Sequence, residues 1–431
     1  MGFFNDSLSA VDPVIAAAVN NELTRQSDGL EMIPSENYAS QAVIDALGTI
    51  LTNKYSEGYA GKRYYGGNEF IDVVESTAID RAKKLFGVTH ANVQPYSGSP
   101  ANQEACFALL EPGDKLMGMH LYYGGHLTHG CGVNFSAKYY NAVQYKTNEA
   151  GYLDYDAIAE QADKEKPKLI FSGATAYSRE IDFKKLAGIA QGVGAYLVAD
   201  TSHITGLIIA GVHQSPFGVA DVVTTTTHKT LRGPRGAMIL CNGEASEPLK
   251  QPPEKSKKYI PTMIDRAVFP GLQGGPHNHQ TAAIAVALLE AARPEFKEYG
   301  KQIVKNARAL AKALIDNGFT IVTGGTDNHL MLVDLRNKNI SGGEAEDLFS
   351  EVGITCNKNT IPFDPRKPFD PSGVRIGTPA LTTRGMEEAE MEEVAGFMHR
   401  AIENRADAME KKRIRDEVKA LCNKFPIYSQ G

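Results

Sequence analysis

The stretch Val222–Gly236 reads VVTTTTHKTLRGPRG. Its β-branched run from Val222 to Thr227 predicts a buried strand. The run stops at His228-Lys229, and Arg232, Gly233, Pro234, Arg235 and Gly236 then impose an irregular loop. Lys229 therefore falls just past the carboxyl end of a strand, where open α/β sheets hold ligands. On rigid, partly dry backbone the neutral amine is favoured, because desolvation penalises the ammonium form. A neutral amine can condense with a carbonyl to form a Schiff base. The alternative is an ordinary surface lysine after a strand, and its neighbours along the chain decide between the two.

Outward from this stretch, strand and helix patterns alternate between Ala91 and Cys241. Strands are predicted at Ala91–Gln94, Lys115–Met119, Lys168–Phe171, Ala195–Ala199 and Asp221–Thr226, with helices at Ala101–Leu110 and Phe183–Gln191. Such alternation predicts a mostly parallel sheet with helices on both faces. Upstream, a helix over 8–28 opens at Asp12-Pro13, and a second runs from Ser40 to Leu51. The aperiodic stretch NKYSEGYAGKRYYGGNEF follows, rich in Tyr and Gly and of a length that marks functional or mobile loops. A helix over Ile71–Phe86 comes next. Downstream of FPGLQGGPHNH, an Ala/Leu-rich helix covers Gln280–Ala292. Strands at Phe319–Thr323 and Leu330–Leu335, with further helices, make a smaller α+β domain. The expected division is an N-terminal helical arm over 1–53, a large α/β domain over 54–290 and a small C-terminal domain over 291–431.

The 431 residues can bury a large core, and a net charge of -6 offers nucleic acid little to hold. No apolar run approaches the roughly 20 residues that span a bilayer. The start, MGFFNDSLSAVDP, lacks the basic-then-apolar order of a signal peptide. Cys106, Cys131, Cys241, Cys356 and Cys422 are scattered without CxxC spacing, as in thiols of a reducing cytoplasm.

Four constellations carry chemistry. Ser97-Gly98-Ser99-Pro100 lies between a strand and a helix; Ser99 suits the N-cap and Pro100 the first helical position, and the amides there can bind an anion or simply start a helix. Neither GxxxxGK[ST] nor GxGxxG spacing is present. Asp200 ends the apolar strand YLVAD; it can hold a pyridine nitrogen protonated, or cap the following turn. His120, His126, His129 and Cys131 cluster in and beside a Gly-rich loop, GGHLTHGC, whose spacing matches no zinc site. Ring stacking by His126 is the better functional reading, beside a merely structural one, and no metal is expected. Arg375, isolated in SGVRIGTPA, needs an anion: a substrate carboxylate or an internal acid.

Taken together, these residues resemble the serine hydroxymethyltransferases, pyridoxal-phosphate enzymes of fold type I. The resemblance runs from about Leu30 to Arg384. It is strongest in VTTTTHKTLRGPRG (223–236), which matches the family's lysine signature without a gap. PSENY (34–38), YSEGYAGKRYYGG (55–67), GGHLTHG (124–130), DTSHITGL (200–207), FPGLQGGP (269–276) and SGVRIGTPALTTRG (372–385) support it. The resemblance implies a PLP-dependent transferase-like fold and reversible transfer of the serine hydroxymethyl carbon to tetrahydrofolate, giving glycine and 5,10-methylenetetrahydrofolate. Lys229 would carry pyridoxal 5'-phosphate covalently, Asp200 would pair with its ring nitrogen and His126 would stack on the ring. Ser97, Gly98 and Ser99 would hold the phosphate, joined by Tyr55, Gly274 and Gly275 of the other subunit of an obligate homodimer to which the N-terminal arm contributes. Thr175 and His203 would approach the phenolic oxygen. Arg375 and Ser35 would bind the amino-acid carboxylate. Glu57 and Tyr65, from the partner, would face the serine hydroxyl, and His228 and Thr226 count with the catalytic set. Leu121, Gly125, His126, Leu127, Lys367, Pro368 and Phe369 would line the folate site. Ala60 stands where Pro is expected, Ser202 and Thr205 where Ala is usual, and Thr175 where Ser is; none removes a chemical group. A threonine aldolase or aminotransferase would share Lys229, Asp200 and the phosphate loop. A non-catalytic regulatory or RNA-binding relative would not need Glu57, Tyr65 and Arg375 together.

Overall fold

Seven strands form the large sheet, in the spatial order His90–Asn92, Ala237–Cys241, Val222–Thr226, Tyr196–Asp200, Leu169–Ser172, Lys115–Met119 and Asn141–Tyr145. The structure is a computed structural model that describes residues 2–242 and 259–428. Ala237–Cys241 runs antiparallel to both its neighbours, and the other strand pairs are parallel. Every residue of Leu169–Ser172, Val222–Thr226 and Ala237–Cys241 is buried. That is why these strands read as continuous apolar or β-branched runs: both faces are covered.

Alternate side chains feed two separate layers. Ile170, Val223, Met238 and Leu240 pack with Ala78, Ala82, Leu186, Ile284 and Leu288, which come from the helices Glu69–Phe86, Phe183–Val193 and Asn278–Ala291. Leu169, Phe171, Val222, Ala237 and Ile239 pack on the other face with Ala101, Ala105 and Leu109 of the helix Gly98–Leu109.

A second, antiparallel sheet of four strands, Thr320–Ile321, Leu330–Asp334, Gly373–Gly377 and Asn357–Asn359, has its own core. The helices Pro294–Asp316, Gly342–Glu351, Glu388–Glu403 and Ala408–Lys424 contribute to that core. Leu30–Glu31 pairs in parallel with Ile354–Thr355, and Leu30 and Met32 join this core. One buried guanidinium ties the region together: Arg384 donates to the carbonyls of Gln26, Ser27, Gly29, Cys422 and Phe425.

Several expected elements differ. The helix over 8–28 is two helices, Leu8–Val11 and Pro13–Asp28, because Asp12 leaves helical geometry and its carboxylate caps Val14 and Ile15. The second helix is shorter, Gln41–Leu47, with Ser40 as its N-cap. The helix after the serine loop starts at Gly98, with Ser97 and not Ser99 at the N-cap position. Phe319–Thr323 is strand only at Thr320–Ile321; Thr323 adopts a left-handed φ of 64°. The tyrosine-rich stretch holds a small hairpin, Gly58–Tyr59 with Lys62–Arg63. Asn141–Tyr145 and Ala237–Cys241 are strands beyond those the sequence pattern predicts; the first is polar at Asn141 and Gln144 and lies at the sheet edge.

Candidate active site

Lys229 lies three residues beyond the strand Val222–Thr226 and is 9% exposed. Its backbone is pinned: Asn37 Nδ2 donates to its carbonyl at 2.9 Å, and Arg232 N does so at 3.0 Å. Burial pushes the Lys229 ammonium down to about 8; Asp200 opposes that fall, while Arg375 and Arg235 add to it. Roughly a tenth of the groups are then the neutral, nucleophilic amine at pH 7, far more than for an ordinary lysine.

Asp200 ends the adjacent parallel strand and is paired in register with Thr224. Burial alone would raise its carboxyl. The hydrogen bond from His129, and the electrostatic pull of His129, His126 and Lys229, outweigh burial and hold the group well below the usual carboxylate range. Asp200 Oδ2 accepts from Asn102 Nδ2 at 2.8 Å and meets His129 Nε2 at 3.2 Å, and Oδ1 accepts from Ser202 N at 3.0 Å. The Asp200 turn cap and the ionised acid are thus both present in one residue.

The sequence motifs point to no role for Asn102, and to His129 only as a member of the histidine cluster. Asn102 had a readable signal: it lies four residues after Gly98, on the same helical face. It also accepts from Thr224 Oγ1 at 2.6 Å. His129 stacks on Phe171 at 4.8 Å, a contact no spacing rule reveals. Donor atoms of His126, His129 and Asp200 lie within 4.8 Å of one another. They are engaged with each other and with Thr128 and Asn102, which makes a hydrogen-bonded chain and not an open coordination shell.

Lys229 and His126 border a pocket of about 410 Å³. Its lining includes Ser35, Ser97, Gly98, Ser99, Leu121, Gly125, His126, Leu127, Thr175, His203, Thr226, His228, Lys229 and Arg375, and also Glu36 and Arg235, which were not anticipated. Arg375 donates through Nε to Asn357 Oδ1 at 3.0 Å and through Nη1 to the Thr175 carbonyl at 2.7 Å. Among the described residues no carboxylate forms an ion pair with it, so the internal-acid alternative is not realised there. Burial lowers Arg375 to about 10, which leaves it a cation at neutral pH. His126 and His228 are pushed down by burial to about 4 and about 3 and are neutral.

Tyr55, Glu57, Tyr65, Gly274 and Gly275 do not border this pocket. They gather in a second cluster. Tyr55 Oη donates to Glu57 Oε1 at 3.2 Å, the Tyr55 and Tyr65 rings meet edge to face at 5.1 Å, and Tyr96 Oη donates to the Gly275 carbonyl. A Cβ on Gly275 would touch the Tyr55 ring at 3.4 Å, and one on Gly274 would lie 3.3 Å from Glu57 Oε1. Lys367, Pro368 and Phe369 also lie outside the pocket lining; the Lys367 ammonium sits 5.9 Å over the Phe369 ring, and Phe369 is 73% exposed.

One end of the pocket is a helix start, Ser97-Gly98-Ser99. Ser97, at the N-cap, makes no side-chain cap bond, so the first amides of Gly98–Leu109 are left for an anion at the positive end of the helix. A Cβ on Gly98 would come within 2.6 Å of Thr226 Cγ2, so the backbone approaches as closely as only glycine allows. His228 Nδ1 is buried without a partner. What fits here is an aldehyde that also bears a phosphate and a basic ring nitrogen. Proteins that mount such a pocket on a mixed, mostly parallel sheet flanked by helices are the fold-type-I pyridoxal-phosphate enzymes, and this chain has that fold.

Comparison with known proteins narrows the class. The sequence profile of serine hydroxymethyltransferase matches residues 8–398. The chain is 54% identical over 420 residues to the serine hydroxymethyltransferase of Desulfotalea psychrophila, covering 97% of this chain and 95% of that one. It is 53% identical over 427 residues to the serine hydroxymethyltransferase of Acidothermus cellulolyticus, covering 97% and 96%. The chain belongs to the serine hydroxymethyltransferase family. It is a transferase of one-carbon metabolism that interconverts serine and glycine, with pyridoxal phosphate as cofactor and tetrahydrofolate as co-substrate. No helix among the described residues is long and apolar enough to cross a membrane.

Proposed function

We propose that Lys229 is the residue that carries pyridoxal phosphate, and that the other groups of the pocket divide the work around it. The observation that carries this reading is a buried lysine at a strand's carboxyl end, electrostatically coupled to the ionised Asp200 and facing the same pocket as Arg375. Bound pyridoxal phosphate supplies an electron sink for the bond that breaks at the substrate Cα. Asp200 would keep a proton on the ring nitrogen, His126 would pack on the ring, and Thr175 and His203 would serve its phenolic oxygen. Ser97, Gly98 and Ser99 hold the phosphate.

Arg375 and Ser35 bind the serine carboxylate. The Nε and Nη1 bonds of Arg375 to Asn357 and Thr175 fix the plane of the guanidinium before substrate arrives. Glu57 holds or moves the proton at the hydroxyl oxygen of serine or at the folate, with Tyr65 beside it. Thr226 and His228 complete the catalytic set. Leu121, Gly125, His126 and Leu127, with Lys367, Pro368 and Phe369, form the folate side.

The enzyme works as a homodimer with shared sites: Tyr55, Gly274 and Gly275 reach the partner's phosphate, and Glu57 and Tyr65 reach its substrate. Two features support this. Those five residues cluster away from the pocket of their own chain. The helix Pro13–Asp28 has no buried residue although Val14 is 74% and Val19 56% exposed; a helix of that kind gains its stability from a neighbour. The division into an arm (1–53), a large domain (54–290) and a small domain (291–431) belongs to the same reading, as does a cytoplasmic location, supported by scattered cysteines.

The test is glycine formation from serine with and without tetrahydrofolate. Lys229→Ala should lose the yellow colour of the bound cofactor and the activity. Glu57→Gln should keep the colour and lose folate-dependent turnover; wild-type turnover in that variant removes Glu57 from its role.

A further inference from the structure

His329 lies just before the strand Leu330–Asp334 of the small sheet, and His203 in the turn after Asp200 of the large one. Both rings are buried, they stack at 5.4 Å, and His203 Nδ1 lies 3.2 Å from His329 Nε2. We propose that His329 is a positioning residue: it donates from Nε2 to His203 Nδ1, and so fixes His203 in the tautomer that presents an N–H from Nε2 to the pocket.

Two neutral imidazoles share one proton across such a contact, so only two arrangements exist. In the first, His329 Nε2–H donates, and His329 Nδ1 keeps a bare lone pair. In the second, His203 Nδ1–H donates, and His329 must carry its own proton on Nδ1. That atom is buried with no hydrogen-bond partner. A buried N–H without an acceptor is the rarer and costlier orphan, whereas an unused lone pair is better tolerated. The first arrangement follows. Burial holds His329 at about 3 and lowers His203 too, so neither ring gains the second proton that would remove the choice. The backbone holds His329 still: Thr378 N donates to its carbonyl at 3.1 Å.

His203 lines the pocket. With Nδ1 turned to His329, Nε2 on the opposite edge of the ring is the atom that meets a ligand. A fixed N–H there favours a negatively charged oxygen and disfavours a hydroxyl that must itself donate. This rests on the reading of His203 as a neighbour of the cofactor's phenolic oxygen, and it adds a group from the small sheet that sets the polarity of that contact.

Neutron diffraction from crystals of deuterated holoenzyme reads the proton positions directly. Expected is deuterium on Nε2 of both rings and on neither Nδ1; deuterium on Nδ1 of either ring overturns the proposal. His329→Gln retains an amide donor and should keep the visible band of the bound cofactor. His329→Leu should shift that band and weaken cofactor binding by roughly tenfold, the scale on which losing the partner of a ligand-binding histidine acts. If His329→Leu folds with an unshifted band and unchanged cofactor affinity, His329 does not act through His203. If instead His203→Phe leaves the band unshifted while the neutron map is as expected, the tautomer stands and the placement of His203 beside the cofactor falls.

Discussion

Lys229 is a base that loses more to burial than Asp200 returns. Borohydride added to the holoenzyme should therefore fix the mass of the cofactor onto the tryptic peptide that contains Lys229. Lys229→Ala should take up none, and labelling of that variant would sink the assignment. Capture of the cofactor by the cofactor-depleted protein should speed up as pH rises through about 8, where the amine deprotonates. A stopped-flow series that is flat between pH 7 and 9 contradicts this. A different titration bears on stability. Glu104 is fully buried in the helix Gly98–Leu109, neither carboxylate oxygen has a partner, and burial raises it from 4.5 to about 9. Between those values the folded chain keeps a proton that the unfolded chain releases, so stability is full below about 4.5 and falls as pH rises through about 9. Glu104→Gln should flatten that slope in a series of melting curves against pH. Nothing in the sequence around Glu104 announces its burial except its position one helical turn after Ala101 on an otherwise apolar face.

At the scale of elements, the meeting of the phosphate loop with the lysine strand is a steric fact. Gly98→Ala would drive a methyl against Thr226 Cγ2 at 2.6 Å, and the loop must move away. Cofactor affinity measured by equilibrium dialysis should drop by about tenfold or more. Adding Thr226→Ser, which deletes that methyl, should recover part of the loss. The strands that carry Asp200 and Lys229 were legible because two-sided burial demands uninterrupted apolar or β-branched residues, and YLVAD and VVTTTT supply them. Asn141–Tyr145 was not legible: an edge strand tolerates Asn141 and Gln144, so no pattern separates it from a loop. The start of the helix at Gly98 does not follow local capping preference. Ser99 is a good cap by type, yet the close approach of strand and loop fixes the turn two residues earlier, and Ser97 is left with its hydroxyl uncommitted to the helix. The candidate site was legible in its residue types and largely through family resemblance; the Asn102–Asp200–His129 network was not, since it joins three segments that only the fold brings together.

For the whole molecule, shared sites predict complementation. In the proposed dimer one site draws Lys229 from one subunit and Glu57 from the other. Unfolding and refolding a mixture of inactive Lys229→Ala and Glu57→Gln chains should restore about a quarter of wild-type activity, because half the dimers are mixed and each mixed dimer has one intact site. Recovery near zero, with mixed dimers demonstrated by mass, means each site is built from one chain. A second prediction concerns Arg384. Replacing it with Ala leaves buried carbonyls of two segments without a donor, and a cost on the order of 3 kcal/mol or more is expected in denaturant unfolding, against little change for a surface arginine such as Arg413. The carbonyls it gathers come from residues 26–29 and 422–425. Arg384 thus rivets the early helix to the late one, beside the Lys419–Asp28 ion pair. Proteolytic trimming near Cys422 would undo the anchorage of a segment almost four hundred positions away, so damage at one extremity is felt at the other before the catalytic pocket is touched.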